Sequence, residues 1–242
     1  MADTIKVEVF KGEGGCGEFK SFDVPRRESQ TVLDVVTHIQ RKLDANLAYR
    51  FACRVGMCGS CAMMVNGNPR WTCRTHVGDV VKDGRLKIEP LRNLPHIRDL
   101  AADLAPFFDK MQKAGGRFVA NKNVPQHMLN IDPQSPKRMA VDAGIECIGC
   151  AVCYAACDVV AWSPDYVGPA ALNRAWTLVN DERIADTGWH LKQVALDGGC
   201  TACHSQGACS VHCPKSLNPS RSIAGLKRAV ARAFIKGELK YE

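Results

Sequence analysis

The 242-residue chain has no apolar run approaching the length of a membrane-spanning helix, so any membrane association has to come through partners. It has no apolar signal segment at Met1-Ala2-Asp3-Thr4, which, with cysteines grouped at metal spacing, argues for a reducing compartment. It also lacks the glycine fingerprint that a dinucleotide requires between a strand and a helix. Negative charge is the scarcer sign: 25 Asp and Glu stand against 32 Lys and Arg, a formal net charge of +7. That balance suits nucleic acid, an anionic surface or an acidic protein, and selects none of them. At 46% hydrophobic residues the chain can build a core without staples.

What is abundant is cysteine. Thirteen are present, too many for chance, and they cluster. Cys53-Arg54-Val55-Gly56-Met57-Cys58-Gly59-Ser60-Cys61, followed by Cys73, has gaps of four and two and then a distant fourth thiol, the plant-type spacing of a 2Fe-2S centre. A structural zinc site would prefer paired knuckles with gaps of two. Gly56 and Gly59 suit a loop wrapped round a cluster, where unusual backbone angles and close amide approach to sulfur are needed. Cys147-Ile148-Gly149-Cys150-Ala151-Val152-Cys153-Tyr154-Ala155-Ala156-Cys157 has gaps of two, two and three, the bacterial ferredoxin run in which three thiolates hold one cluster and the fourth reaches another. Cys203, Cys209 and Cys213-Pro214 complete it. Reciprocal exchange gives Cys147, Cys150, Cys153 and Cys213 to one cluster, and Cys157, Cys203 and Cys209 to the other. A full run would place a cysteine where Gln206 stands; its lack fits a 3Fe-4S centre, while Cys200 leaves a four-ligand cluster open. Cys16 lies in a glycine loop away from any motif and reads as a free thiol.

Around these motifs the N-terminal half alternates as strands at 4–10 and 19–24, with Gly12, Gly14, Gly15 and Gly17 as the loop between them. Thr31 and Asp34 open a capped helix to about Leu43. Asn66-Gly67-Asn68-Pro69 is a turn, and Leu86-Lys87-Ile88 a further strand. Residues from Asp99-Leu100 to Met111 carry helical spacing, ended by Gly115-Gly116, with Pro125, Pro133 and Pro136 in a loop-rich passage. Beyond Ala140 short helices alternate with cysteine-bearing turns. The basic tail from Arg221 to Lys240 places Ile223, Leu226, Val230 and Phe234 on one face of a terminal helix. The expected organisation is a first domain over 1–95, a linker with one helix over 96–139 and a helical domain over 140–242.

Read together, these motifs resemble the iron-sulfur subunit of the succinate dehydrogenase and fumarate reductase family over nearly the whole chain. The residues carrying the resemblance are Cys53 through Met63, Asp99-Leu100 to Phe107-Phe108, Lys110-Met111, Cys147-Ile148-Gly149-Cys150, Val167-Gly168-Pro169-Ala170, and Cys209 through Pro219. The resemblance implies an α+β protein: an N-terminal β-grasp plant-type ferredoxin domain with a 2Fe-2S centre, then an all-α bacterial-ferredoxin-like domain with 4Fe-4S and 3Fe-4S centres. It implies a flavoprotein subunit carrying FAD, membrane-anchor subunits, quinone as acceptor or donor, and a peripheral position on the cytoplasmic face of the inner membrane or its equivalent, held through those partners. Dicarboxylate chemistry would belong to the flavoprotein. Two departures stand out: Asp158 follows Cys157 where many members have proline, and Ala161-Trp162 stands where many have two tryptophans. Trp162 and His204 carry over as quinone contacts; packing for Trp162 and capping for His204 are the competing readings. A flavoprotein with another substrate, or a soluble acceptor, remains open. A zinc-stabilised nucleic-acid-binding module is the reading from another class; it predicts a colourless protein, and the joint ferredoxin spacings speak for no nucleic acid.

Overall fold

The computed structural model describes residues 4–122 and 129–239; Pro125 and Lys240 lie outside them. The chain forms two compact units, one of residues 1–104 with 148–156, the other of residues 105–147 with 157–242.

The first unit is built on a mixed sheet. Strands β1 (Thr4–Glu13) and β2 (Cys16–Pro25) form an antiparallel hairpin, and β1 also pairs in parallel with β5 (Arg85–Glu89). The remaining strands are β3 (Ala62–Val65), β4 (Asn68–Trp71), β6 (His96–Arg98) and β7 (Ala101–Ala102), giving the order β4-β3-β5-β1-β6-β7 with β2 on β1. Ile5, Val7 and Val9 alternate inward from β1, and α1 (Val32–His38) covers them with Val32, Val35 and Val36. The helix starts where the sequence says it should. The Thr31 hydroxyl accepts from the Asp34 amide, while the Asp34 carboxylate accepts from the Thr31 amide, a reciprocal cap. It continues through a wider turn over Ile39–Leu43.

Two local expectations are corrected. The hairpin turn is shorter than the glycine-rich stretch suggests, because Gly12 and Gly17 pair within the ladder; Cys16 is therefore the exposed first residue of β2, opposite Glu13. The helical stretch expected from Asp99 instead begins later. Asp99 is buried at φ +48°, and its carboxylate accepts from the Gly12 and Ala48 amides and from Lys11 Nζ at 3.0, 2.8 and 3.2 Å. Those bonds hold residues 96–102 against the sheet, so helix α3 spans only Ala105–Lys113. Lys11 is shared with Asp44 at 2.9 Å, and this partner holds the Asp44 carboxyl below its ordinary value.

The first unit also contains the short helices α2 (Val77–Val80) and α5 (Val152–Ala155); the second contains α3, α4 (Pro136–Val141), α6 (Asp158–Trp162), α7 (Pro169–Val179), α8 (Thr187–Ala195), α9 (Ala208–Val211) and α10 (Pro219–Ile235). Helices α7 and α10 form its spine. Gly225 of α10 lies so close to the Trp176 ring of α7 that an added Cβ would meet it at 2.7 Å. Buried Asn173 receives the Ser222 hydroxyl at 2.9 Å and donates to Gly144 O at 2.9 Å. Ile223, Leu226 and Val230 of α10 are buried as their spacing predicts.

Candidate metal centres

Cys53, Cys58, Cys61 and Cys73 all belong to the first unit. Cys53, Cys58 and Cys61 come from the loop before β3, and Cys73 from the turn after β4, so the β3–β4 hairpin carries the fourth thiol back to the loop. The loop is wound round Cys53: the amides of Val55, Met57 and Cys58 approach its sulfur at 3.5, 3.3 and 3.3 Å. Backbone donors stabilise a thiolate, the form that ligates metal. A hydrogen bond from the Cys53 backbone, then one from the Ser60 hydroxyl, lowers the Cys58 thiol to about 6. Cys73 behaves oppositely, pushed up to about 11 by burial first and then by the adjacent Cys61. Two neighbouring buried thiols cannot both ionise without a positive centre between them, so this donor set fits a metal-sulfur group.

The second set is divided. Cys150 and Cys153 belong to the first unit, Cys147 and Cys213 to the second. Cys147 ends a tight turn over Asp142–Glu146, and Cys213 follows α9. Cys153 is buried in α5, whose carbonyls at Tyr154 and Ala155 accept from the Asn93 side chain at 3.0 and 3.5 Å, tying this segment to the first unit. Within the same unit the first loop comes against Cys150. Gly59 has φ +72°, and a Cβ there would lie 2.5 Å from Cys150 Cβ. Only glycine meets both demands.

Cys157, Cys203 and Cys209 are all in the second unit and line one cavity, together with Tyr166, Pro169, His204, Gln206, Ser220 and Ile223 among others. Cys157 precedes α6, Cys203 ends the turn Cys200–Ala202, and Cys209 lies in α9. Burial raises the Cys157 and Cys209 thiols, while the Val160 amide opposes it at Cys157 and the Ser220 hydroxyl, 3.4 Å from the sulfur, opposes it at Cys209. The Ser205 amide reaches Cys203 sulfur at 3.4 Å, and Lys227 Nζ donates to the Cys203 carbonyl at 2.6 Å. Gln206 stands on the wall where a fourth thiol would complete the run. Cys200 is fully buried and is not part of that wall.

Trp162 and His204 come together, with ring centroids 5.9 Å apart. Trp162 is 58% exposed, so the buried-plug reading fails for it. Reasoning from the sequence missed Tyr166, Ser220 and Lys227, which reach the third cavity or its ligand backbone. Tyr166 directly precedes the Val167-Gly168-Pro169-Ala170 stretch, which was the available signal.

The fold and thiol sets define an iron-sulfur protein with two cluster-binding parts. Residues 4–109 match the family described as a 2Fe-2S iron-sulfur cluster binding domain, and residues 146–218 the 4Fe-4S dicluster domain. Among relatives, the fumarate reductase iron-sulfur subunit of Mycobacterium tuberculosis is 34% identical over 98% of this chain and 96% of its own. That of Escherichia coli O157:H7 is 33% identical over 98% and 97%, and the succinate dehydrogenase iron-sulfur subunit of Paracoccus denitrificans 32% over 84% and 78%. A chain of the solved Mycobacterium smegmatis Sdh1 complex in the apo form superimposes with a TM-score of 0.86 at 25% identity, covering 96% of this chain and 97% of that one. The chain belongs to the family of iron-sulfur subunits of fumarate reductases and succinate dehydrogenases.

Proposed function

We propose that this chain conducts electrons within a succinate:quinone oxidoreductase, between the FAD of a flavoprotein subunit and quinone at membrane-anchor subunits. Cys53, Cys58, Cys61 and Cys73 would hold a 2Fe-2S cluster; Cys147, Cys150, Cys153 and Cys213 a 4Fe-4S cluster; Cys157, Cys203 and Cys209 a 3Fe-4S cluster. When bound, such clusters supply one-electron carriers whose potentials follow ligation, burial and hydrogen bonds to sulfur. The residues of this chain would hold the thiolates and stabilise them with backbone amides, as at Cys53 and Cys203. Three thiols on the third cavity, Gln206 in the fourth position and Cys200 off its wall favour the three-iron form.

The observation that carries the relay is the approach of Gly59 to Cys150, which puts a ligand loop of the first centre against a ligand of the second. In the second unit, the exposed Trp162–His204 pair offers an aromatic face and a ring N–H, the two features a quinone carbonyl and ring require. Among the described residues no helix is long and apolar enough to cross a membrane; in this reading the chain is a peripheral subunit on the cytoplasmic face, held by its partners. The test is low-temperature electron paramagnetic resonance of the purified complex, with iron and zinc quantified on the same sample. A three-iron signal when oxidised, joined by a two-iron signal on reduction with succinate, is expected. Zinc in place of iron would sink the relay; abundant iron with a silent oxidised sample would make Cys200 the fourth ligand.

A further inference from the structure

Among the residues on the wall of the third cavity that ligation does not use, Tyr166 stands apart. Tyr166 is fully buried, and among the described residues its hydroxyl is the buried side-chain polar atom without a hydrogen-bond partner. An orphaned buried hydroxyl is destabilising, and phenylalanine would fill the same volume without that cost. The hydroxyl therefore calls for an acceptor that the protein atoms do not provide.

Its setting narrows what the acceptor is. Cys203, Cys157 and Cys209 all line the cavity that Tyr166 lines. No thiol of that wall meets the geometry of a completed hydrogen bond to the Tyr166 hydroxyl. The loop that carries it is pinned: the Tyr166 amide donates to Ser163 O at 3.1 Å and the Val167 amide to Gly198 O at 2.9 Å. Gly198 packs so tightly that a Cβ would stand 2.2 Å from Asp165 O. A fixed neutral donor thus faces a site designed for anionic sulfur.

We infer that the Tyr166 hydroxyl donates a hydrogen bond to sulfur of the cluster held by Cys157, Cys203 and Cys209, and so raises that cluster's reduction potential. The inference rests on the proposed occupancy of this cavity. A donor stabilises the more negative, reduced state over the oxidised one, which shifts the couple upward. Tyr166 is a positioning and tuning residue here.

The test is a redox titration of the third centre in the purified complex, read by paramagnetic resonance, for wild type and Tyr166→Phe. The variant should retain the oxidised three-iron signal and the iron content, while its reduction equilibrium constant falls about three- to tenfold, tenfold being 59 mV for one electron. An unchanged midpoint with the signal intact overturns the inference. Absence of the signal from wild type overturns the occupancy reading instead. If Tyr166→Phe does not accumulate, 3-fluorotyrosine incorporated in place of the four tyrosines leaves the fold unmutated and makes the phenol a stronger donor. The third centre's midpoint should then rise, and a midpoint equal to that of the unlabelled complex overturns the inference equally.

Discussion

The two units solve the same problem, burying thiolates, in opposite ways. In the first, the larger core, strands β1, β3 and β5 under α1, contains no cysteine, and Cys61 and Cys73 are buried beside it in a small separate cluster with Leu33. In the second, buried Cys209 shares a cavity wall with Tyr166 and Ile223, Cys200 is buried as well, and the cysteines punctuate helices of one turn, α6 and α9. Helices that short are not stable alone. The lesson is that a metal centre can decorate a fold or replace part of its core, and this chain does both.

Chelating the iron from the reduced full chain should break that comparison most visibly. Amides of α6, α7, α9 and α10 are expected to lose hydrogen-exchange protection, while those of β1, β2 and β5 keep theirs. Equal loss in both units would remove the distinction.

Next in size is Gly59→Ala. The clash with Cys150 meets backbone and Cβ atoms that cannot rotate away, and the positive φ adds strain, together about 3 kcal/mol or more. The first centre's signal and part of the iron should disappear. Gly67→Ala also has a positive φ but meets nothing within 4 Å, and should cost only about 1 kcal/mol with both signals kept. Equal effects from the two would show that the approach to Cys150 does not matter.

Gly225→Ala tests the helical spine directly. The added methyl meets the Trp176 ring, so the second unit should lose about 1–3 kcal/mol in thermal or denaturant unfolding, with all cluster signals preserved in the folded fraction. An unchanged midpoint would mean that α7 and α10 yield easily.

The smallest effect concerns pH. His190 is buried, its Nδ1 is 2.9 Å from Gly115 O, and burial lowers its pKa. The unfolded chain therefore binds the proton more readily, so this contribution is fully present above about pH 6.5 and is lost as pH falls toward the folded value. Stability of the second unit should decline on acidification from 7, and less steeply in His190→Gln. Parallel slopes would exclude His190 as the cause.

What was legible in the sequence was local. The cap at Thr31 and Asp34 and the terminal helix each depend on residues a few positions apart, and the structure carries them as read; the cysteine spacings are local in the same way. The hairpin turn, β6 and β7 were misjudged because Asp99 acts on Gly12 and Lys11, 87 and 88 residues away. Gly59 was singled out for its loop, yet its contact with Cys150 follows from tertiary packing that spacing does not encode. Tyr166 went unnoticed for the same reason, since an orphaned hydroxyl exists only once its surroundings are known.

The interleaving of the units has a consequence for how the protein is made. Residues 148–156 are required by the first unit, although they are separated from residues 1–104 by 43 residues of the second, 105–147. As the chain leaves the ribosome, the sheet can form long before its last segment arrives, so the first unit stays incomplete until synthesis has passed residue 156. A single cut anywhere in the chain, whether by protease or by premature termination, cannot release both units whole.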